Sequence, residues 1–367
     1  MDKSSYSFKN LESLYSNFMA PTFEIVIGNN VIDSTKIPIS ELTVEIDSGV
    51  SAGGCQFSFA LQYNYETSTF ASDIVKKIKV GDILSVKAGY IRMKEIFYGL
   101  VDSVTLAYQK EEKPTVEVTG IDAKAYLRSF RPQIYFNKKK ANDIIKNILS
   151  QCISAGYAKK VTMGTLKPFE SEIIVDKLDY AAFITEMAKL YGFQFFIVNG
   201  EIIFDDVYSD ATSLITLELG TSLLEFTKIC SLSNQVGAVN VYSTNPGTGK
   251  PISGKASKLT LPGSGKSAVE TAKNFKSSYI DINNAFVKNE SECNKLAQSI
   301  LNERSMKYVT GTGSCIGLPE LIPGRYITVE GLDDSCENKY FISKVTHRYT
   351  GGYGGYKTDF EIEGAKN

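Results

Sequence analysis

Two stretches of the 367-residue chain, residues 81–120 and 324–364, share a spacing of glycines and apolar side chains. Each begins with a glycine and reaches a second one, Gly89 or Gly331, at the end of its first strand-like segment. Glycine adopts turn conformations that are costly for other residues, so matched glycines at matched intervals indicate matched turns. The repeat predicts that the chain contains two related small β-barrels.

The correspondence continues through two further strand-like segments. In the first of them, Val104 and Tyr108 match Val345 and Tyr349. The matches in the second are Val116 with Phe360, Val118 with Ile362 and Gly120 with Gly364. A chance similarity between short hairpins is the alternative interpretation, since strands with glycine turns resemble one another in general.

The first barrel is predicted at residues 21–125, where apolar and polar residues alternate with a period of two. The clearest alternation lies in the segments 23–27, 42–46 and 55–61. Residues 1–20 instead place apolar side chains mostly three and four positions apart, from Tyr6 to Phe18, and predict an N-terminal helical arm.

Residues 126–212 predict a mixed α/β domain, with two helices of three- and four-residue apolar spacing followed by a hairpin. Asp179 is the predicted N-cap of the second helix, and Gly192 is the predicted left-handed residue after its last turn. The dipeptide Asn199-Gly200 between two apolar segments is typical of a two-residue hairpin turn.

The second barrel is predicted from residues 213–243 and 305–367. Residues 244–304 interrupt it, and the first part of this insertion, up to Ser278, is rich in Gly, Ser, Thr and Lys. Such a composition buries little apolar surface, so we expect an exposed flexible loop there, followed by a helix. The predicted fold class is therefore mainly β (α+β), with two barrels, an intervening α/β domain and an N-terminal helix.

Charge and cysteine content narrow the classes of function. Lys and Arg number 40 against 41 Asp and Glu, so we expect no specific nucleic-acid binding. The sequence has no run of about 18 apolar residues, so we expect no stable membrane insertion. The six cysteines are scattered without a C-x-x-C pair, and the N-terminus has no signal-peptide pattern, which favours reduced thiols and synthesis in a cytoplasm.

Candidate catalytic groups are few. His347 is the single histidine, so a Ser-His-Asp triad, a Cys-His pair or a zinc site has one imidazole to draw on. Strand alternation turns Val345 and His347 to one face, and a structural role is the simpler interpretation. Residues 261–267, LPGSGKS, are similar to a phosphate-binding loop, but Thr260 occupies the position of the required first glycine.

Paired carboxylates, which glycosidases need, have candidates in Asp205-Asp206 and Asp333-Asp334, but sequence neighbours on a strand point apart and turn roles are favoured. Lys138 to Lys140 form a short basic run that is typical of a solvated surface. Tyr353 and Tyr356 are candidates for a sugar-stacking patch or for a hairpin tip. We therefore assign no catalytic, cofactor-binding or metal-ligating residue and expect no cofactor.

The segment LDYAAFITEMAKLYGFQFFIVNGEIIF, residues 178–204, resembles the phage late control protein D family, whose relatives include the hub portion of the VgrG proteins of type VI secretion. The closing segments LPELIPGRYITVEG, YFISKVTHRY and GGYKTDFEIEG resemble the last barrel of the same family, where His347 occupies the histidine position of a V-x-H strand. With the opening barrel included, the resemblance covers most of the chain from about Phe23 onward. Its motifs are packing patterns and contain no active site.

The resemblance implies a structural protein without enzymatic activity, the baseplate hub of a contractile tail or injection particle, in a phage or an R-type bacteriocin. It implies a homotrimeric ring that adapts a six-fold tail tube to a three-fold spike, with the spike as a separate polypeptide. Spike and tail tube proteins are the expected partners, and baseplate wedge and tape-measure proteins are further candidates. Such a protein is made in the bacterial cytoplasm and is extracellular after particle release.

Two other classes of function stay open at the level of sequence. One is a tail-associated cell-wall-degrading enzyme, which needs a convergent acid and base. The other is a receptor- or glycan-binding β-protein, with Tyr353, Tyr356 and the loop from Thr244 as its contact surface. The internal repeat favours the hub, because neither alternative requires two copies of one unit.

Overall fold

In the computed structural model of the chain, the described residues form seven helices and 23 strands, which confirms the mainly β fold class. The described residues are 3–32, 37–70, 72–110, 112–132, 134–136, 141–165, 173–175, 178–245, 247–274, 278–284, 287–351 and 355–367. The helices are α1 Phe8–Leu14, α2 Ile74–Lys77, α3 Ala123–Arg128, α4 Ala141–Ser154, α5 Tyr180–Tyr191, α6 Ala268–Ala272 and α7 Glu290–Met306.

The strands fall into three groups along the chain. The first group is β1 Thr22–Ile27, β2 Asn30–Ile32, β3 Ile39–Asp47, β4 Gly54–Ala60, β5 Tyr63–Asn64, β6 Thr69–Phe70, β7 Ile83–Gly89, β8 Met93–Ala107 and β9 Thr115–Ile121. The second is β10 Ile134–Phe136, β11 Lys160–Met163, β12 Ile173–Val175, β13 Gln194–Val198 and β14 Glu201–Asp205. The third is β15 Ser213–Glu218, β16 Leu223–Cys230, β17 Ala238–Thr244, β18 Pro251–Ala256, β19 Tyr279–Asn283, β20 Val309–Ile316, β21 Tyr326–Glu330, β22 Asn338–Thr350 and β23 Gly355–Gly364.

Thirteen of these strands form one sheet that includes both ends of the chain. Its hydrogen-bonded order is β16-β20-β23-β22-β3-β4-β9-β8-β7-β1-β2, and β21 and β15 continue from β22 as a side branch. We call β1 to β4 with β7 to β9 the N-terminal half-sheet, and β15, β16 and β20 to β23 the C-terminal half-sheet. The pairing of β3 with β22 joins the two half-sheets.

Both half-sheets use the same strand order. In chain order, β1, β3, β4, β7, β8 and β9 correspond to β15, β16, β20, β21, β22 and β23. The pairing orders β3-β4-β9-β8-β7-β1 and β16-β20-β23-β22-β21-β15 are then identical. One direction differs, since β1 is antiparallel to β7 while β15 is parallel to β21. The shared order supports the duplication that the glycine spacing predicts.

The turn glycines of the repeat occupy equivalent places. Gly81 and Gly324 both have positive φ, at 90° and 83°, where a side chain is strained. The N–H of Gly81 donates to the carbonyl of Val101 at 2.8 Å, and the N–H of Gly324 donates to the carbonyl of Ile342 at 2.9 Å. The predicted match between these two turns is confirmed.

The predicted match of the last strand is wrong by two residues. Val104 lies opposite Val118 in the pair β8–β9, and its counterpart Val345 lies opposite Phe360 in the pair β22–β23. Val118, rather than Val116, is therefore the structural counterpart of Phe360. A two-residue shift keeps each side chain on the same face of a strand, so alternation in the sequence does not detect it.

Alternation places one face of each half-sheet in a shared hydrophobic core. Phe57 and Phe59 of β4 and Ile342 and Val345 of β22 are at most 1% exposed. Burying such a side chain contributes about 1.5–3 kcal/mol. The same core includes Phe196 of β13, so the α/β layer covers the core face of the sheet.

The N-terminal arm crosses from one half-sheet to the other. Its helix is shorter than the apolar pattern predicts, because the residues from Ser16 to Phe18 adopt left-handed conformations. The N–H of Tyr6 donates to the carbonyl of Leu214 in the C-terminal half-sheet at 2.7 Å, and its hydroxyl accepts from Lys94 in the N-terminal half-sheet at 3.1 Å. Tyr15 is fully buried and donates its hydroxyl to a carboxylate oxygen of Glu320 at 2.6 Å.

The predicted caps and turn of the α/β region are confirmed. Asp179 caps α5 by accepting the N–H of Ala182 at 2.8 Å, and Gly192 ends the helix with φ at 73°. Asn199 and Gly200 have φ of 51° and 80° and connect β13 to β14. These strands form a three-stranded sheet with β11, and α3, α4 and α5 share a second hydrophobic core with it.

The segment 244–278, predicted as a flexible loop, instead contains the strand β18 and the helix α6 in its described residues. β17, β18 and β19 form a separate three-stranded sheet that packs on α7, so β17 does not belong to the second barrel as predicted. A side chain on Gly254 of β18 would lie 2.3 Å from the backbone nitrogen of Asn294 in α7. Gly254 therefore permits a close contact between β18 and α7. The glycine-rich composition, read alone, predicts a flexible loop.

Tyr15→Phe removes the hydroxyl that donates to the buried Glu320 carboxylate, and we expect it to lower the free energy of unfolding by about 1–3 kcal/mol. Lys94 Nζ lies 3.1 Å from the same carboxylate oxygen, so Glu320 keeps this charge partner in the variant. Urea denaturation measures the loss. Tyr279→Phe, at a 54% exposed position, is the matched control, and an equal loss in both variants contradicts this account of the arm.

Candidate assembly interface

The junction between the half-sheets is an antiparallel pairing of β3 with β22. Seven residues of each strand face one another, from Glu41 opposite Thr350 to Asp47 opposite Lys344. On the core face, the paired strands bury Val44 and Val345 completely. The junction therefore satisfies backbone hydrogen bonds and removes apolar surface from water at the same time.

Two long strand edges of the sheet have no partner strand among the described residues. One is the outer edge of β16, which pairs with β20 on its other side. The other belongs to the second part of β8, because β7 and the turn before it bond to β8 only as far as Val101 and residues 102–107 lie beside β9 alone. Of the remaining edges, β2 has three residues, and the N-terminal arm bonds to β15.

The two open edges are the counterparts of the two strands that meet in the junction. By their places in the sheet, β16 corresponds to β3 and β8 corresponds to β22. Bulges fix the alignment, since Ser40 is the extra residue of β3 against β4 and Leu224 is that of β16 against β20. Asp102 and Ser343 are the extra residues of β8 and β22 against their partners β9 and β23.

Apolar side chains at the open edges are exposed. Leu106 in β8 is 43% exposed, whereas its counterpart His347 is 1% exposed. Tyr108, just after β8, is 52% exposed, and Ile229 in β16 is 54% exposed. A long edge with exposed apolar side chains favours pairing with another strand.

The face of the sheet opposite the core carries polar side chains through both half-sheets. It is formed by eight neighbouring strands: β16, β20, β23, β22, β3, β4, β9 and β8. At the junction, Lys344 lies 2.9 Å from Glu45, and Arg348 lies 2.8 Å from Asp359. Exposed ion pairs of this kind contribute about 0–1 kcal/mol, so this face is suited to contact with water rather than to holding the fold together.

His347 lies in the junction strand β22 and faces the core, as alternation predicts. Its Nδ1 is 2.9 Å from the hydroxyl of Tyr356 and 3.2 Å from that of Thr358. Burial lowers the pKa of His347 to about 3, so the imidazole is neutral at ordinary pH. A buried neutral ring held by two hydroxyl groups stabilises the junction and offers no exposed acid or base.

The paired aspartates hold turns. Asp206 accepts the N–H of Ser209 at 3.3 Å, and Asp333 accepts the N–H of Ser335 at 3.0 Å. Burial raises the pKa of Asp206, while the hydrogen bonds to Ser335 lower the pKa of Asp333. Each side chain is thus engaged with its own loop, as the turn interpretation predicts.

Residues 261–267 pack against the last residues of the chain. The N–H of Lys266 donates to the carbonyl of Asn367 at 2.8 Å, and a side chain on Gly265 would lie 2.4 Å from the same oxygen. Ser267 caps α6. A carbonyl therefore occupies the space where a phosphate-binding loop holds its ligand.

The other candidate residues are dispersed. Tyr356 is 7% exposed, so the hypothesis of a surface sugar-stacking patch does not hold for it, and Tyr353 and Lys138 to Lys140 lie outside the described residues. The six cysteines are unpaired, and Cys230 is exposed. In the described ranges no group of three or more His, Cys, Asp or Glu side chains is placed to hold a metal ion. No helix of the described part is long and apolar enough to cross a membrane.

The open edges are not evident from the sequence. The repeat aligns Tyr108, just after β8, with Tyr349 in β22. It does not show that β3 pairs with β22 while the end of β8 stays uncovered. The signal in the sequence is that apolar residues continue to the end of β8 and beyond it, at Leu106 and Tyr108.

Solved structures with the same fold include phage tail proteins and a type VI secretion component. The 43 kDa tail protein of prophage MuSo2 from Shewanella oneidensis is 14% identical with a TM-score of 0.69, over 94% of this chain and 98% of that one. The tail protein from Neisseria meningitidis MC58 is 13% identical with a TM-score of 0.69, over 94% and 97%. The E. coli c3393 protein, a type VI secretion component with structural similarity to the T4 tail proteins gp27 and gp5, is 12% identical with a TM-score of 0.55, over 92% and 76%. At these identities the similarity shows a shared fold.

Residues 23–351 match the family model described as the Alg8 N-terminal domain. Because the match spans most of the chain, the chain belongs to the Alg8 N-terminal domain family. This is a different family from late control protein D, which the sequence resembles and which the family match does not confirm. No curated protein sequence matches the chain significantly.

The depressed pKa of His347 predicts a pH dependence of stability. The folded pKa of about 3 lies below the ordinary value of 6.5, so between these values the folded state binds fewer protons than the unfolded state and stability falls as pH falls. From pH 7.5 to pH 5 we expect the native chain to lose about 2 kcal/mol more than His347→Gln, measured by urea denaturation. An identical pH dependence of the two proteins contradicts a buried neutral imidazole.

Proposed function

We propose that the chain is a structural ring subunit of a contractile tail or related injection particle, the baseplate hub, in which three copies form a short tube. The observation that carries this proposal is the pair of open edges that matches the internal junction. In the junction, β3 pairs with β22, while the counterpart β16 and the second part of the counterpart β8 are uncovered on either side of it. One chain therefore has both sides of a contact that another copy can complete.

The register of the junction, applied to the open edges, defines this contact. β16 of one copy pairs antiparallel with residues 103–109 of the next copy, as β3 pairs with residues 344–350 within the chain. Leu106 and Tyr108, exposed in the single chain and facing the core side of the sheet, become covered. The opposed residues in the contact are Tyr108 with Phe226, Leu106 with Lys228 and Val104 with Cys230.

A contact between two different surfaces of one chain builds either a closed ring or an open filament. Each copy contributes two similar half-sheets, so three copies place six near-equivalent units around an axis. The eight strands that carry the polar face in each copy then form one closed sheet, which has no open edges left. The core face is covered by the α/β layer, so the polar face lines the channel.

Six near-equivalent units in three chains suit a hub. One side of such a ring matches a six-fold tail tube, and the other matches a three-fold spike. We propose these two proteins as partners, with baseplate wedge and tape-measure proteins as further ones. The fold shared with tail proteins and a type VI secretion component supports the assignment, as does the resemblance to late control protein D. A phage, an R-type bacteriocin and a secretion device all use this geometry.

The proposal assigns no catalytic step and no cofactor to the chain. His347 is buried and neutral, and Tyr356 lies inside the protein. Among the described residues, no observation supports the cell-wall-degrading or the glycan-binding alternative. In this proposal the chain is made in the bacterial cytoplasm, assembles into the particle and is extracellular after release.

Val104→Cys tests the register with a cysteine that the chain already has. Opposite residues of an antiparallel pair have Cα atoms about 4.5–5.5 Å apart, which is within the range of a disulfide. Cys230 is exposed, so mild oxidation of the concentrated full chain should join the introduced thiol to Cys230 of the next copy. We expect covalent dimers and trimers on a non-reducing gel, with a final mass by light scattering of three times 40.4 kDa.

Two controls separate register from random oxidation. Thr105→Cys moves the thiol to the other face of the same strand, and Val104→Cys combined with Cys230→Ser removes the partner thiol. Neither should form more covalent oligomer than the native chain. Lack of cross-linking in Val104→Cys, or equal cross-linking in either control, contradicts the register. Growth past the trimer into polymers contradicts the closed ring.

A further inference from the structure

An open apolar groove lies beside the uncovered edge of β8. In the hairpin β5–β6, Tyr63 packs against Phe70 and Tyr108, with ring centroids 5.0 and 5.4 Å apart. Tyr65 on the same hairpin is 63% exposed. The groove between this hairpin and the β8–β9 turn has a volume of about 450 Å³ and is lined by Tyr63, Tyr65, Lys110, Glu112, Lys113 and Pro114.

The elements that form the groove are present in one half-sheet only. Residues 61–82 link β4 to β7 and include β5, β6 and α2. The corresponding strands β20 and β21 are linked by the short segment 317–325, which has no such hairpin. In a ring of three copies, the groove therefore lies at each contact between chains and is missing from the junction within a chain.

The register of the junction brings an exposed leucine to this groove. Within the chain, pairing extends one residue past the last strand pair, because the N–H of Gly351 donates to the carbonyl of Ser40 at 3.0 Å. Ser40 corresponds to Leu224 through the shared bulge, and Gly351 corresponds to Lys110. Leu224, which is 45% exposed in the single chain, is thus opposite a residue of the groove lining.

We propose that Leu224 of a second copy of this chain occupies the groove and packs against Tyr65. The proposal rests on the proposed ring and names the side chain that secures each contact between chains. Both side chains have exposed apolar surface that the contact removes from water. Lys110 and Glu112 at the groove margin form a polar rim around the buried centre.

The groove distinguishes the contact between chains from the junction within a chain. The open β16 edges of two copies carry the same apolar side chains, and two such edges can also pair with each other. A site for Leu224 beside β8 favours the pairing of β16 with β8 over the pairing of two β16 edges. The groove therefore directs association toward a ring of one orientation.

A double-mutant cycle in the full chain tests the contact. Leu224→Ala, Tyr65→Ala and the double variant are compared with the native chain by sedimentation velocity over a concentration series. We expect each single substitution to weaken the association of each contact about tenfold, and the double variant to be little weaker than either single one, because both remove the same contact. Ile153→Ala, at a 39% exposed position on α4, is the matched control and should leave association unchanged.

The outcomes separate the groove from the ring. Additive losses, or a loss in Leu224→Ala no larger than in Ile153→Ala, overturn the groove contact. If the Val104→Cys trimer forms while Leu224→Ala has no effect, the groove proposal fails and the ring remains. If that cross-link does not form, both proposals fail together.

Discussion

The backbone pairing of β3 with β22 is the constraint on which the rest of the structure depends. Strand edges carry N–H and C=O groups that need partners, and an uncovered apolar edge attracts other strands. The pairing of β3 with β22 gives hydrogen-bond partners to the backbone groups at one edge of each half-sheet. Because the unit is duplicated, the same pairing leaves the two complementary edges, on β16 and β8, uncovered. The proposed association with further copies therefore uses the two edges that the topology of the chain leaves open.

The remaining elements support this arrangement from one side of the sheet. The N-terminal arm links both half-sheets through Tyr6, which bonds to Leu214 and to Lys94, and the α/β layer contributes Phe196 to the sheet core. Both lie away from the polar face, which is therefore available to water along all eight strands. A net charge of -1 gives little long-range attraction, so the proposed contacts rest on strand edges and shape rather than on charge.

Turns and helix caps, which depend on residues close together in the sequence, were predictable from the sequence. The turn glycines Gly81 and Gly324, the cap Asp179 and the hairpin turn at Asn199-Gly200 each depend on a few neighbouring residues, and all occur as expected. The junction was not predictable, because β3 and β22 are separated by most of the chain and alternation does not specify a partner strand. The composition of residues 244–278 gave a wrong prediction of a flexible loop. Gly254 is needed there because a side chain would collide with the backbone of α7.

The open edges illustrate why the interface was harder to predict than the fold. Leu106, Tyr108 and Ile229 follow the alternation of ordinary half-buried strands, and only their exposure in the structure distinguishes them from core residues. Exposure depends on which strands pair, and pairing depends on contacts across the whole chain. A repeat indicates that two units are related, but coordinates are needed to show that their unpaired edges are complementary.

Electron cryo-microscopy of the assembled oligomer tests the central claim most directly. The account predicts a three-fold ring in which β16 of each copy continues the sheet of the next copy at β8, with Tyr108 opposite Phe226 and a channel lined by the polar face. A map in which copies meet through other surfaces and leave β16 in contact with solvent contradicts it.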